Sequence, residues 1–408
     1  MEVELITPDA DPNHGGFGAR VHGIVSMFAE FADVRVVLTD WTGGPRLPRV
    51  TYETLPIRDS WRTRVRRLGS YFREDFPRRT DAEPPDLVVV ASLDRLGLNQ
   101  YGDDVPMILD EHNVYWNLLP YEIVNAPFFR TWPGRRAAVR EWLVPRLLER
   151  AKRFEMAALR KAARVLATSA ADRRQILQEC PDLAPRVSVL PNCVDTRRIR
   201  ALPDPTGSRD VVFVGDHNYV PNQEADAFIV RELAPAFPDV RFLLVGSNRS
   251  AGPFGPNVFA TGHVPDLLGL LRNAAVCIAP LSHGSGTRLK ILTYLAAARA
   301  VVATTKACEG LPVEDGRHLL IRDDPAEFRR AVGRLLRDAQ ARRDLGAAGR
   351  DLVEAQLDWR VHVPRLRAVC EEAIAEAGTP ALGPSASGAH GPIGSRRTPA
   401  GSSSLRRG

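Results

Sequence analysis

Lysine is almost missing from this chain. Four lysines (Lys152, Lys161, Lys290, Lys306) stand among 55 basic residues, and the rest are arginine. That makes Lys290 conspicuous, because it uses a side chain the sequence otherwise avoids. Cysteine is scarce too. Its five copies are scattered, odd in number and contain no C-x-x-C pair, which argues against a disulfide framework or a zinc site and fits a reducing cytoplasm. No window holds eighteen consecutive apolar residues, so no membrane-spanning helix is expected. The opening Met1-Glu2-Val3-Glu4-Leu5-Ile6 lacks a basic stretch and reads as a first strand, not a signal peptide. H-E-x-x-H, the P-loop pattern and a Ser-His-Asp arrangement are also missing. The one literal D-x-D, Asp9-Ala10-Asp11, directly follows the first strand and reads as a turn.

What the chain has is a repeated alternation of strand and helix. Its 408 residues are 44% apolar, enough for two or three domains with real cores. Apolar runs at Val3–Thr7, Val34–Leu38, Leu87–Ala91, Met107–Asp110 and Arg164–Thr168 read as strands with helical stretches between them. A segment rich in Pro, Asp and Gly interrupts the pattern at 191–209. It restarts at Asp210–Gly215, Val240–Gly246, Val258–Thr261, Val276–Pro280 and Ala300–Thr304. Such alternation predicts parallel sheets built from βαβ units. The expected class is α/β, with two doubly wound domains, 1–190 and 210–355, facing across a cleft. A C-terminal helix at 356–378 is expected to pack back towards the first domain, and 379–408 reads as a disordered basic tail. Ligands in such sheets lie beyond the carboxyl ends of the strands.

One loop at such an end carries the clearest chemistry. Ser282-His283-Gly284-Ser285-Gly286-Thr287-Arg288-Leu289-Lys290 joins a buried strand to a helix. A Gly-rich helix start offers unbonded N–H groups and the positive end of the helix dipole. Arg288 and Lys290 add two cations, which makes a seat for a diphosphate. The net charge of +6 also calls for an anionic partner. Nucleic acid is not expected, since no interleaved aromatic platform accompanies the charge. Gly15-Gly16-Phe17-Gly18 fails as a dinucleotide fingerprint, because Val21 stands where the third glycine belongs.

Taken together and in order, these motifs resemble those of GT-B fold glycosyltransferases of the family 4 type, in the branch with G-x-G-T-R-L-K. The resemblance rests on Phe213 to Asn222, Thr261 to Leu267, Gly284 to Leu292, and Ala300–Thr304 through Glu309-Gly310-Leu311. In the first half it rests on Gly15-Gly16 with Arg20, Asp110 to Val114, and Pro191-Asn192-Cys193-Val194-Asp195. It implies two Rossmann-like domains and a nucleoside-diphosphate sugar donor held by the second. Gly215, Gly286 and Thr287 would approach the diphosphate, Arg288 and Lys290 would neutralise it, and Val264 would meet the base. Gly15 and Gly16 would close on the donor from the first domain. Glu111 and His112 would shape the sugar side of the cleft, with Glu309 a lesser contributor. Retention of configuration, no cofactor and no metal are implied as well. The family usually carries a glutamate where this chain has Thr293, so a GT-B protein that binds without catalysing is the alternative reading.

The acceptor is expected to be a hydroxyl on a lipid-linked glycan, a polysaccharide or a small metabolite. Trp61, Val65, Leu68 and Phe72 recur at helical spacing among Arg62, Arg64, Arg66, Arg67 and Arg73. This basic amphipathic pattern at 61–73 fits either a helix packed on the first sheet or peripheral contact with an anionic membrane.

Overall fold

The computed structural model describes residues 1–12, 15–39, 46–55, 83–116, 135–247, 250–284 and 288–378. The basic stretch at 61–73, Gly286, Thr287 and the tail at 379–408 lie outside the described residues.

The first sheet contains β1 (Glu2–Thr7), β2 (Asp33–Leu38), β3 (Val50–Thr54), β4 (Leu87–Val90), β5 (Met107–Glu111), β6 (Arg164–Ala167) and β7 (Val187–Val189). Their order is β3-β2-β1-β4-β5-β6-β7 and every pair is parallel. The continuous apolar run in β4 is buried throughout, as a strand covered on both faces requires. Helix α1 (Gly15–Phe28) buries Val21, Ile24, Val25 and Phe28 against this sheet. On the other face lie α2 (Arg135–Lys161) and α3 (Ala170–Glu179), the latter started by Ser169, whose hydroxyl accepts the Asp172 N–H.

The second sheet contains β8 (Asp210–Val214), β9 (Phe242–Val245), β10 (Gly252–Pro253), β11 (Val258–Gly262), β12 (Ala274–Ala279), β13 (Val301–Ala303) and β14 (Leu320–Ile321). Their order is β10-β11-β9-β8-β12-β13-β14, parallel except at the β10–β11 edge. Its helices are α4 (Val220–Phe228), α5 (Leu267–Leu271), α6 (Leu289–Ala296), α7 (Pro325–Arg337) and α8 (Ala339–Gln356). The expected doubly wound α/β class is what the chain adopts. The short edge strands β3, β7, β10 and β14 were not legible in the sequence.

In each sheet the order reverses once, between β1 and β4 and between β8 and β12. Those reversals are where strand-end loops diverge and leave a crevice. The segment between the sheets is tied to the C-terminal region. Arg350 donates to the carbonyls of Thr196, Ile199 and Ala296, and Arg360 bridges Asp195 and Asp358. The last helix, α9 (Trp359–Gly378), returns to the first sheet. Leu366, Val369, Cys370 and Ala373 enter its core, and Glu372 and Glu376 hold Arg164 at 3.4 and 2.5 Å.

Candidate donor site at the interdomain cleft

The loops after β8 and β12 meet at the reversal of the second sheet. Glycines make that meeting possible. A Cβ on Gly246 would stand 1.8 Å from the Gly215 carbonyl oxygen, and one on Gly215 would stand 2.7 Å from Asn222 Nδ2. Asn222 is thereby laid against the strand end. Its amide donates to the Asp216 carbonyl at 2.7 Å, while its oxygen accepts Lys290 Nζ at 2.8 Å. The same ammonium lies 4.2 Å from the Phe213 ring centroid, a cation–π contact. Burial, helped by the neighbouring Arg288, pulls Lys290 down to about 7.

Arg288 is the residue just before α6, and it is buried, 8% exposed. Its guanidinium donates to the His283 carbonyl at 3.4 Å and to the Tyr219 hydroxyl. Gly284, at φ 111°, passes so close that a Cβ would sit 2.6 Å from both Arg288 Nη2 and the Tyr219 oxygen. Burial lowers the Arg288 pKa, with Tyr219 and Glu309 opposing. Glu309 therefore lies within electrostatic range of Arg288, though its carboxylate is engaged by Lys306 Nζ at 2.5 Å. The 282–284 loop is pinned by Glu224 of α4, which accepts from the Ser282 hydroxyl at 3.1 Å and lies 3.0 Å from His283 Nδ1. Beneath it, His217 Nδ1 meets Asp226 at 2.8 Å in a buried pair. Two buried or half-buried cations at a helix start and a strand end can hold a polyanion far more firmly than they could in water.

Thr293 lies one turn along α6. It lines the cleft, and its hydroxyl donates to the Leu289 carbonyl at 3.1 Å. The loop through Val264 adjoins it. Val264 itself packs on the second-sheet core, and the following Pro265 lines the cleft. This cleft has a volume of about 650 Å³ and runs between α1 and the segment after β7 on one side and α5 and α6 on the other.

Across the cleft, α1 begins at Gly15, at φ 75°, and Gly16. A Cβ on Gly16 would lie 3.4 Å from Leu289 Cδ1, so the two domains touch where α1 and α6 begin. Phe17, the next residue, stacks on His112 with centroids 4.5 Å apart. His112 follows β5, and its Nδ1 lies 3.2 Å from the Asp110 carbonyl and 3.1 Å from the Asp110 carboxylate. Its Nε2 is buried without a hydrogen-bond partner. Burial lowers its pKa against the pull of Asp110. Asp110 is fixed by Arg20, which also reaches the Leu190 carbonyl and Asn192 Oδ1 at 3.0 and 2.9 Å. Asp9-Ala10-Asp11 forms a turn, with Asp9 Oδ1 accepting the Asp11 N–H at 3.0 Å.

Glu111 is not brought together with His112. Side chains alternate along a strand, so Asp110 faces α1 while Glu111 faces the opposite helices. Both its carboxyl oxygens are buried without partners, and burial with nearby Glu155, Asp110 and Asp172 holds its pKa well above the ordinary range. Glu155 of α2, unrecognised in the sequence, accepts the Tyr115 and Trp116 N–H groups at 2.7 and 2.9 Å and is pushed by burial up to about 8. Tyr219, Asn222 and Asp226 were also not singled out by role, although the run from Phe213 to Asn222 contains the first two.

Comparisons with known proteins bear on both halves. A family model described as Glycosyltransferase Family 4 matches residues 14–198, and one described as Glycosyl transferases group 1 matches residues 208–338. No curated protein matches the sequence. Among solved structures, sucrose-phosphate synthase from Thermosynechococcus elongatus is similar, with a TM-score of 0.66 and 16% identity over 92% of this chain and 100% of that one. Anabaena HepE, solved with UDP and glucose, gives a TM-score of 0.60 and 13% identity over 90% of this chain and 98% of its own. TarM from S. aureus, solved as a point mutant with Fondaparinux, alpha-GlcNAc-glycerol and UDP, gives 0.62 and 10% over 93% and 100%. With its two halves matched by complementary glycosyltransferase models on a shared GT-B fold, this chain belongs to the glycosyltransferases of the family 4 and group 1 type.

Proposed function

We propose that the protein moves a hexose-type sugar from a nucleoside diphosphate to a hydroxyl acceptor, with retention of anomeric configuration and without a divalent metal. The observation that carries this reading is the pairing of Arg288 and Lys290 beside the β8 and β12 loops, at the crevice of the second sheet. In glycosyl transfer, negative charge grows on the departing diphosphate while the sugar takes on oxocarbenium character. Fixed cations and backbone dipoles aimed at those oxygens act in the transition state without reorganising. Gly215 and the start of α6 complete the seat, and Gly286 and Thr287 belong to it by sequence. Val264 and Thr293 stand on the nucleoside side, with Glu309 next to Arg288. HepE has been solved with UDP-glucose, a donor of the proposed kind.

The first domain, 1–190, takes the acceptor, and the second, 210–355, the donor, with 191–209 between them and 356–378 returning. Gly15 and Gly16 let α1 approach the seat. His112 offers its buried Nε2 towards the sugar side, and Glu111 acts there only by supporting the strand end from behind. Acceptors in keeping with this cleft are a lipid-linked glycan, a polysaccharide or a small metabolite. Membrane contact through 61–73 would suit a lipid-linked one, and loss of sedimentation with anionic vesicles in an arginine-depleted variant tests it. No helix among the described residues is long and apolar enough to cross a membrane.

The decisive experiment is a panel of nucleotide-sugars with chelator present, read by released nucleoside diphosphate and by the anomeric proton signals of the product. Turnover with retained configuration is expected, and Arg288→Ala should lower it at least tenfold, a loss of about 1.4 kcal/mol of transition-state stabilisation or more. Unchanged turnover in a folded Arg288→Ala protein would refute the assignment. The engagement of the Thr293 hydroxyl by its own helix favours a second reading, binding without transfer. Tight donor binding with no turnover on any acceptor would select it.

A further inference from the structure

Burying a carboxyl group costs free energy unless its oxygens are paired. Glu155 of α2 is 2% exposed, and both of its oxygens are in use. Oε1 accepts the Tyr115 N–H at 2.7 Å and Oε2 accepts the Trp116 N–H at 2.9 Å. Tyr115 and Trp116 are the first helical residues after β5. The N–H groups of a first helical turn have no partner inside their own helix, so an acid placed there is well bonded. Glu155 lies 40 residues beyond Tyr115 in the chain. The tie therefore joins two separate elements across the α2 face of the first sheet.

Three residues, His112, Asn113 and Val114, separate the end of β5 from that tie. The loop is fixed at its entry by strand pairing, with Glu111 opposite Ala167. At its exit Val114 is buried, and Tyr115 and Trp116 pack in the same apolar cluster as Ala158 and Leu159 of α2. Apolar contact has no preferred direction. Two hydrogen bonds to the two oxygens of one carboxyl group do, and they set both the place and the rotation of the turn. The His112 ring meets Asp110 and Phe17 on the α1 side, so its short loop is gripped from both faces of the sheet.

Resting on the reading that His112 serves the sugar side of the cleft, we propose that Glu155 is a positioning residue, which holds the 112–114 loop and with it the His112 ring while touching neither donor nor acceptor. Glutamine has the same size, but its amide nitrogen carries two hydrogens and cannot accept. A carboxyl group keeps a lone pair on each oxygen in either protonation state. In Glu155→Gln one of the two buried N–H groups therefore faces a donor and loses its bond, which displaces the turn. A shift of about 1 Å in a group that meets the substrate is enough to lower a rate by roughly a hundredfold.

The first test reads the ring itself, by proton–carbon NMR of the histidine side chains in the full chain without ligand. The His112 signal, assigned by its loss in His112→Ala, should shift or broaden in Glu155→Gln, while those of His217 and His318 in the second domain stay in place. An unmoved His112 signal would overturn the proposal, whatever the chain catalyses. Kinetics supply the second arm, with the nucleotide-sugar that turns over in the panel above. Glu155→Gln should lower kcat at least tenfold and leave the donor KM within twofold, because the diphosphate seat lies in the other domain. The double variant with His112→Ala should stay within twofold of His112→Ala alone, since Glu155 acts through that ring. Losses that multiply would overturn the proposal, as would an unchanged kcat in Glu155→Gln beside a tenfold loss in His112→Ala. Unchanged turnover in His112→Ala would overturn the sugar-side reading of His112 and the proposal together. Should Glu155→Gln fail to fold, Tyr115→Pro deletes one of the two donors at a helix start, where proline is tolerated, and is held to the same outcomes.

Discussion

Lys290 combines three surroundings that pull in different directions. An aromatic face and the Asn222 oxygen welcome its ammonium, while burial and Arg288 disfavour the charge. Its pKa of about 7 without ligand has a definite consequence for binding. A diphosphate prefers the protonated amine and raises its pKa, so affinity should be greatest below pH 7. It should decline as pH rises through that value, until the bound-state pKa is passed. Titrations from pH 6 to 9 should show this decline in the wild type and a flat profile in Lys290→Arg, whose charge persists throughout. A wild-type profile that stays level would mean that the ammonium does not face the phosphates. The sequence disclosed Arg288 and Lys290 because both sit in one loop with glycines. It did not disclose the Tyr219 hydroxyl as a partner of Arg288, since the residues are far apart in the chain and nothing local signals the contact. The facing of Glu111 escapes a sequence reading for a related reason. It is the last residue of β5 and His112 lies just past it, and only the alternation rule, applied with the sheet in view, puts Glu111 on the face away from Asp110 and α1.

At the level of elements, the strong apolar runs were legible because strands buried on both faces cannot be anything but apolar. Edge strands β3 (burial mixed along its length) and β14 (two residues) carry no such run and give no signal of their own. Helix α9 was expected to return towards the first domain, and what the structure adds is the contact itself. Leu366, Val369, Cys370 and Ala373 join the core of a sheet whose strands lie more than 150 residues earlier. Leu366 is fully buried there, so Leu366→Ala leaves a cavity and should cost about 2–4 kcal/mol. Urea unfolding followed by intrinsic fluorescence measures this. A loss below about 0.5 kcal/mol, no more than an ordinary surface substitution gives, would contradict the packing of α9 on the first sheet.

For the molecule as a whole, the two sheets are held at one side by α9 and the Arg350 and Arg360 contacts, and they meet at the other where Gly16 faces Leu289. A methyl group fits that approach only at contact distance and a larger side chain does not fit, and the proposed site draws on both domains. Gly16→Val should therefore hold the domains apart. Turnover is expected to fall at least fivefold, with Gly16→Ala within twofold of wild type. Stability should change by no more than about 1 kcal/mol, because the position is exposed and at the first turn of its helix. Equal rates in all three proteins would show that closure at this point does not contribute. The central claim, that Arg288 and Lys290 hold the pyrophosphate at the crevice of the second sheet, is tested most directly by a crystal structure of the protein with UDP. Phosphate oxygens are expected within hydrogen-bonding distance of both cations, with the nucleoside running past Thr293. A nucleotide bound elsewhere, or phosphates that leave Arg288 turned to His283 and Tyr219 and Lys290 to Asn222, would contradict it.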